Sequence, residues 1–305
     1  MGETLGQGTG WSGILNLAKP VGITSRDAVD VVQKLARPSK VGHAGTLDPL
    51  ATGVLVVCIG AGTRMVPFIQ DQRKEYRASF RLGQTSDSED VTGVITSVCD
   101  CVTVTETQLS ETLAGFVGRI AQVPPRVSAV RVDGRRAYAL ARKGAEFELA
   151  AKTVEVDAIR LLDFTGVEFT VELVCSGGTY VRSIGRDVGE RLGCGALMTA
   201  LERTAVGPYR VNAAVPLDRV APDSLRGLCL PLSTAIPGLR RVEIAEVDVA
   251  GIRCGRSVQG WDRTELTDGE DVALVDPAGA FVGVAKWVAA ERRLQPCIVF
   301  PDAQG

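Results

Sequence analysis

The chain has 305 residues and a formal net charge of −2, with 45% apolar and 23% charged residues, a composition of soluble globular proteins and a length that suits two domains. No apolar run reaches the ~18 residues of a membrane span, the start lacks the basic flank and apolar core of a secretory signal, and the expected compartment is the cytoplasm. A single histidine excludes a zinc site built on several histidines, and the lack of G-x-x-x-x-G-K-[ST] excludes a P-loop, so any enzyme here is expected to work without metal, nucleotide hydrolysis or redox cofactor.

In chain order, residues 1–12 read as a disordered leader. GILNL at 13–17 is a short strand closed by a turn through Lys19 and Gly22. Thr24 and Asp27 have capping-box spacing and open a helix over about 26–36. A loop runs from Pro38 to Pro49, and GVLVVCIG at 53–60 reads as a buried strand. YRASFRL at 76–82 alternates as a half-buried strand does; a polar loop follows at 83–93. Thr105 and Gln108 announce a second helix. A Pro-Pro stiffened loop at 122–134 leads to a short helix over Arg135–Lys143. Strands are expected near 152–163 and 167–175, then helices over 182–192 and about 196–203. Beyond residue 238, VALV (272–275), FVGVAKWV (281–288) and CIVF (297–300), separated by turns, predict a small β-rich module. The irregular interleaving of strands and helices favours an α+β fold with a mixed or antiparallel sheet, divided into residues 13–238 and 239–305.

The eight cysteines form no C-x-x-C pair and are expected to be reduced, mostly buried thiols. Basic residues gather in three groups: Arg73, Lys74 and Arg77; Arg131, Arg135, Arg136, Arg142 and Lys143; and Arg182, Arg186 and Arg191. They suit a local anionic partner as well as they suit solvated faces.

Two segments carry candidate chemistry. GHAGTLDPLATG (42–53) packs three glycines, His43 and Asp48-Pro49 between a helix and a buried strand. Its glycines permit close approach of a ligand, and Pro49 pins the residue before it, which suits a nucleophile or base at Asp48. Taken alone, a turn whose aspartate bonds its own backbone accounts for the segment at least as well. SGGTYVRSIGRDVG (176–189) places Tyr180 and Arg182 at a helix start, where the arginine is either a partner for a carboxylate or a surface residue. Tyr76 is either a core aromatic or a stacking platform for a base.

These segments occur together with LAKPVGITS (17–25), KEYRASFRLGQTSDSEDVTG (74–93) and QVPPRVSAVRVDGRRAYALARKG (122–144). The ordered set, spanning residues 13–212, closely resembles the TruB family of pseudouridine synthases. The tail from 239 resembles a small PUA-type RNA-binding module through GVAKWV and LQPCIVF. The resemblance implies a cofactor-free isomerase that flips a uridine out of the T-arm of tRNA, at position 55, and converts it to pseudouridine. Asp48 would be the essential carboxylate, Tyr76 would stack on the uracil and help remove the C5 proton, and Arg182 would pair with Asp48 and aim it. Tyr180 would line the pocket, His43 would contact RNA, and Lys19 would support the pocket. Asp90 would sit in a loop near the flipped nucleotides, and Arg135 and Arg142 would bind phosphates. The resemblance further implies a monomer that needs no guide RNA. The family commonly has Asp where this chain has Ala18. A non-catalytic tRNA-binding folding chaperone is the alternative, disfavoured by the intact trio of Asp48, Tyr76 and Arg182.

Overall fold

The computed structural model describes residues 10–99, 102–128, 130–132, 134–137, 140, 145, 147–259 and 265–300. Strand β1 (Gly13–Lys19) is buried along almost its whole length. Helix α1 (Ser25–Leu35) follows a full capping box, Thr24 accepting from the Asp27 N–H and Asp27 from the Thr24 N–H. Then come β2 (Val41–His43), β3 (Thr52–Ile59), α2 (Val66–Asp71) and β4 (Lys74–Leu82). A small hairpin of β5 (Gln84–Ser86) and β6 (Ile95–Ser97) leads to α3 (Glu106–Ala114), which is also opened by a capping box, Thr105 with Gln108. β7 (Gly118–Gln122), β8 (Arg131–Val132) and β9 (Arg135–Arg136) precede the long hairpin of β10 (Lys152–Phe164) and β11 (Glu168–Cys175). Helix α4 (Val181–Arg191), β12 (Ala196–Val206), β13 (Tyr209–Arg210) and β14 (Val215–Pro216) complete this part.

Among the described residues these strands build a ten-stranded sheet in the order β14-β1-β3-β12-β4-β11-β10-β7, with β2 on β3 and β13 on β12. Only β1 with β14 and β3 with β12 run parallel. The expectation of a mixed, largely antiparallel sheet is therefore met. Apolar residues of α3 and α4 pack with Tyr76, Phe80, Phe169 and Leu173 in one core, where Phe80 stacks on Phe169 at 5.0 Å between centroids. Gly185 lets α4 lie directly on Phe80, because a Cβ there would fall 2.3 Å from the ring. Val29 and Val32 of α1 join Leu15, Leu17, Leu55 and Val57 in a second core.

One expected helix is a strand, and another begins later than expected. ALMTALER is composed of good helix formers, yet it begins β12, an 11-residue strand between β3 and β4. Burial of most of its residues and pairing on both edges override the local preference. Arg135 and Arg136, assigned to the start of a helix, pair instead with Arg131 and Val132 as a two-stranded ribbon; Ala137 and Leu140 are helical as expected, and residues 138, 139 and 141–143 of that expected helix lie outside the described residues. Trp11 and Ser12, assigned to the leader, are tied to the fold. The Trp11 N–H donates to Ser39 Oγ at 2.8 Å, and Ser12 Oγ accepts the Ala61 N–H at 2.8 Å. Residues 1–9 lie outside the described residues. Cys58, Cys175 and Cys194 are buried, whereas Cys254 and Cys297 are exposed.

The C-terminal part holds β15 (Arg240–Glu243), α5 (Glu246–Arg253), β16 (Val258–Gln259), β17 (Asp271–Val275), β18 (Phe281–Val288) and β19 (Arg293–Val299). Its five strands run in the order β15-β17-β18-β19-β16. Among the described residues β16 pairs only with Arg293 and Leu294, and no strand covers the same edge of β19 at Cys297. One face of the sheet encloses its own core with α5. The other face sends Phe281, Val284 and Phe300 into a core shared with Ile14, Val54, Val56 and Met65. Arg64 seals this seam: its Nη2 donates to the Val299 carbonyl at 2.6 Å, and its guanidinium covers the Phe300 ring at 5.1 Å.

Candidate active site

Asp48 ends a loop that three separate elements hold from behind. From the start of α1, Ser25 Oγ donates to the Leu47 carbonyl at 3.0 Å and accepts the Leu47 N–H at 2.8 Å. From the turn after β1, the Gly22 N–H donates to the Pro49 carbonyl at 2.8 Å. From β12, the buried Arg203 donates through Nε to the Val54 carbonyl at 2.7 Å, through Nη2 to Gly45 at 3.0 Å, and through Nη1 to Thr46 at 3.4 Å. Gly53 sits where β3 leaves the loop, with φ +97°, and a Cβ there would lie 2.3 Å from the Arg203 carbonyl oxygen. Only glycine accepts both that angle and that approach.

The carboxylate meets the first turn of α4. Arg182 Nε lies 3.0 Å from Asp48 Oδ2. The rest of the guanidinium is anchored: Nη1 donates to the Ser88 carbonyl at 2.7 Å, and Nη2 to the Val127 carbonyl at 3.0 Å. Nη1 also lies 3.7 Å from Asp90 Oδ2. An arginine with its donors committed in this way has one orientation, and so fixes its carboxylate partner.

Asp48, Tyr76, Tyr180, Arg182 and Leu201 line a cavity of about 680 Å³, which extends to Lys74 and Gly177. Tyr76 points inward from β4, and burial pushes its phenol pKa up, with Arg203 opposing part of the rise. Tyr180 is placed by Gln122, whose side chain accepts its N–H at 2.8 Å and donates to its carbonyl at 3.0 Å; burial raises this phenol too. Lys19 is buried behind the loop, its Nζ donating to the carbonyls of Pro20 (2.9 Å) and Ile23 (2.8 Å). Burial brings its pKa down to about 8, with Asp48 opposing and Arg203 reinforcing the shift. Lys74, at the far end, is likewise brought down to about 8 by burial; its ammonium donates to the carbonyls of Gln70 and Gln72.

Of the remaining candidates named in the sequence, His43, Asp90 and Arg135 do not line the cavity. His43 is half-buried on β2, outside the lining, and accepts the Gly45 N–H at Nδ1 (3.3 Å). Burial first, and Arg203 second, lower its pKa. Asp90 is only 3% exposed. Its Oδ1 accepts from Ser88 Oγ at 2.8 Å, from the Thr92 N–H at 2.9 Å and from Thr92 Oγ1 at 2.5 Å. It therefore organises its own loop and faces Arg182. Arg135 is exposed on the β8–β9 ribbon, away from the cavity, and Arg142 lies outside the described residues. Sequence reasoning missed Arg203, Ser25 and Gln122, which act through backbone contacts that no local pattern signals. The helix-like composition around Arg203 hides it further.

Comparison with known proteins agrees with this architecture. The family model described as TruB family pseudouridylate synthase (N terminal domain) matches residues 33–181, and that described as tRNA pseudouridylate synthase B C-terminal domain matches residues 182–236. A protein of Leifsonia xyli subsp. xyli named tRNA pseudouridine synthase B is 40% identical over 292 residues, covering 92% of this chain and 95% of its own. One of the same name from Clostridium tetani is 36% identical, covering 90% and 95%. Among solved structures, the archaeal box H/ACA sRNP Nop10-Cbf5 complex shares the fold with a TM-score of 0.72 at 24% identity, covering 96% of this chain and 88% of that one.

Proposed function

The chain belongs to the TruB family of pseudouridylate synthases, and from that membership we infer an enzyme that isomerises uridine to pseudouridine in tRNA, acting at position 55 of the T-loop. The observation that carries the reading is the ion pair of Asp48 with the immobilised Arg182 in the wall of a cavity beside Tyr76. The reaction breaks the bond from ribose C1′ to uracil N1, turns the base, and joins C1′ to C5, from which a proton leaves while N1 takes one up. It consumes no second substrate. The base must first leave the helical stack and enter the protein, and a cavity of about 680 Å³ accommodates a nucleotide.

Asp48 is the group we assign to the chemistry, as nucleophile toward the sugar or base, or as base toward the ribose. Its side chain is 37% exposed while that of Arg182 is 5% exposed, so the carboxylate stays accessible on a buried mount. Tyr76 is the platform on which the uracil stacks. Tyr180 closes the cavity, and Lys19 holds the turn behind Asp48. We assign His43 to a contact with RNA, and exposed Arg135, with Arg142, to phosphates, so affinity should fall with salt.

We assign residues 13–238 to catalysis and 239–305 to a PUA-like RNA-binding module; the second family match ends at residue 236, which supports that division. We further assign cytoplasmic action as a monomer on tRNA alone, without guide RNA. No helix among the described residues is long and apolar enough to cross a membrane. The test is tritium release from a T-arm RNA carrying 5-tritiated uridine. Wild type should release it, and Asp48→Asn should release none while still binding. Tight binding by wild type without release would instead identify an RNA chaperone. Mapping pseudouridine in tRNA from cells with and without the protein tests position 55.

A further inference from the structure

Behind Arg182 lies a second ion pair, half-buried, between Glu89 and Arg186, that the assigned chemistry does not use. Glu89 occupies the loop between β5 and β6 with φ +64°, a left-handed conformation that a side chain other than Gly, Asn or Asp rarely adopts. Its carboxylate turns inward. Oε2 accepts the hydroxyl of the fully buried Ser183 at 2.8 Å, and Oε1 pairs with Arg186 Nη1. Both partners lie on α4, one and four residues beyond Arg182. The backbone on either side of Glu89 supplies the shell that orients Arg182: the Ser88 carbonyl and the Asp90 carboxylate. The Glu89 carbonyl in turn accepts the Met198 N–H of β12 at 3.0 Å. The loop is thus bolted to the same helix whose arginine it aims.

We propose that Glu89 is a positioning residue of the catalytic site, holding the 88–90 loop against α4 through Ser183 and Arg186 and thereby fixing the direction of Arg182 and of the Asp48 carboxylate. The residue touches neither the cavity wall nor Asp48, so its effect on the reaction passes through the carbonyl and carboxylate contacts of Arg182. The inference rests on the uridine-isomerase reading above.

Single-turnover kinetics with enzyme in excess separates aim from folding. Misfolded molecules lower the amplitude, whereas a misdirected carboxylate lowers the rate constant. Glu89→Gln keeps the shape and an acceptor for Ser183 but removes the charge. Glu89→Gly suits the left-handed backbone and tests whether only the turn matters. Both should slow the rate constant about tenfold, as a small misplacement of a catalytic group does, with tRNA affinity within about twofold of wild type. Arg186→Met should match Glu89→Gln, and the double variant should be no slower than either, because the two side chains act as one unit. Rate constants within about twofold of wild type, or losses confined to amplitude or affinity, would overturn the proposal. A wild-type enzyme that releases no tritium would overturn the functional reading instead, and is scored first.

Discussion

Arg182 and Asp48 share an ion pair but not an environment, since the guanidinium side chain is 5% exposed and the carboxylate 37%. Replacing either partner therefore has unequal consequences. Asp48→Asn leaves Arg182 with the Ser88 and Val127 carbonyls and Asp90, so its stability should stay within about 1 kcal/mol of wild type although activity is lost. Arg182→Met strands the buried Ser88 carbonyl, the half-buried Val127 carbonyl and the buried Asp90 carboxylate, and should cost about 3 kcal/mol or more. Urea unfolding of the two variants measures the difference; equal losses would contradict an arginine anchored from behind.

Arg203 is a brace, and its three acceptors all belong to the loop that carries Asp48 or to the strand that follows it. Arg203→Met should lower stability by about 2–4 kcal/mol, the cost of leaving buried carbonyls unpaired, and slow pseudouridine formation at least about tenfold. Gly53→Ala should reproduce much of this by pushing on the Arg203 backbone. An Arg203→Met enzyme of full activity would show that the loop holds its shape without β12.

Lys19 gives a stability signature in alkali. Its folded pKa of about 8 lies below the ordinary 10.5, so below pH 8 the buried ammonium exerts its full cost. Between pH 8 and 10.5 the folded chain sheds a proton that the unfolded chain keeps, and stability owed to this residue rises with pH, by at most about 1.4 kcal/mol per unit. The difference between wild type and Lys19→Met, followed by chemical unfolding across that range, cancels the thiols and phenols that titrate nearby. A difference independent of pH would mean that Lys19 is solvated.

His43 is the chain's one histidine, so its ring resonances need no assignment. Burial and Arg203 hold its pKa below 6.5. Its NMR titration should have a midpoint under that value, and stability should fall as the pH drops below 6.5, because the unfolded chain takes up the proton first. Catalysis between pH 7 and 8 should be indifferent to this group. A midpoint at or above 6.5 would place the ring in water.

What can be read from the sequence is local or carried by the family's motifs. The capping boxes at Thr24 and Thr105 declare themselves through side chains three residues apart, and both helices begin where those residues say. Asp48, Tyr76, Tyr180 and Arg182 are legible as members of a motif set, and they meet at one cavity. The mount is not legible. Ser25 reaches Leu47, Gln122 reaches Tyr180 and Arg203 reaches Gly45 through backbone atoms far away in the chain, which leave no mark on residue type. The 196–203 segment misleads for a related reason: its helix-forming composition is a weak prior, and two flanking strands outweigh it.

The apolar seam of Phe281, Val284 and Phe300 against Ile14, Val56 and Met65 leaves the C-terminal sheet no freedom to swing like an arm on a tether. Severing the chain near residue 238 would bare a greasy face on both pieces, so the halves should melt together. A tRNA that engages both must fit a span of fixed length, and the bending on encounter falls to the nucleic acid.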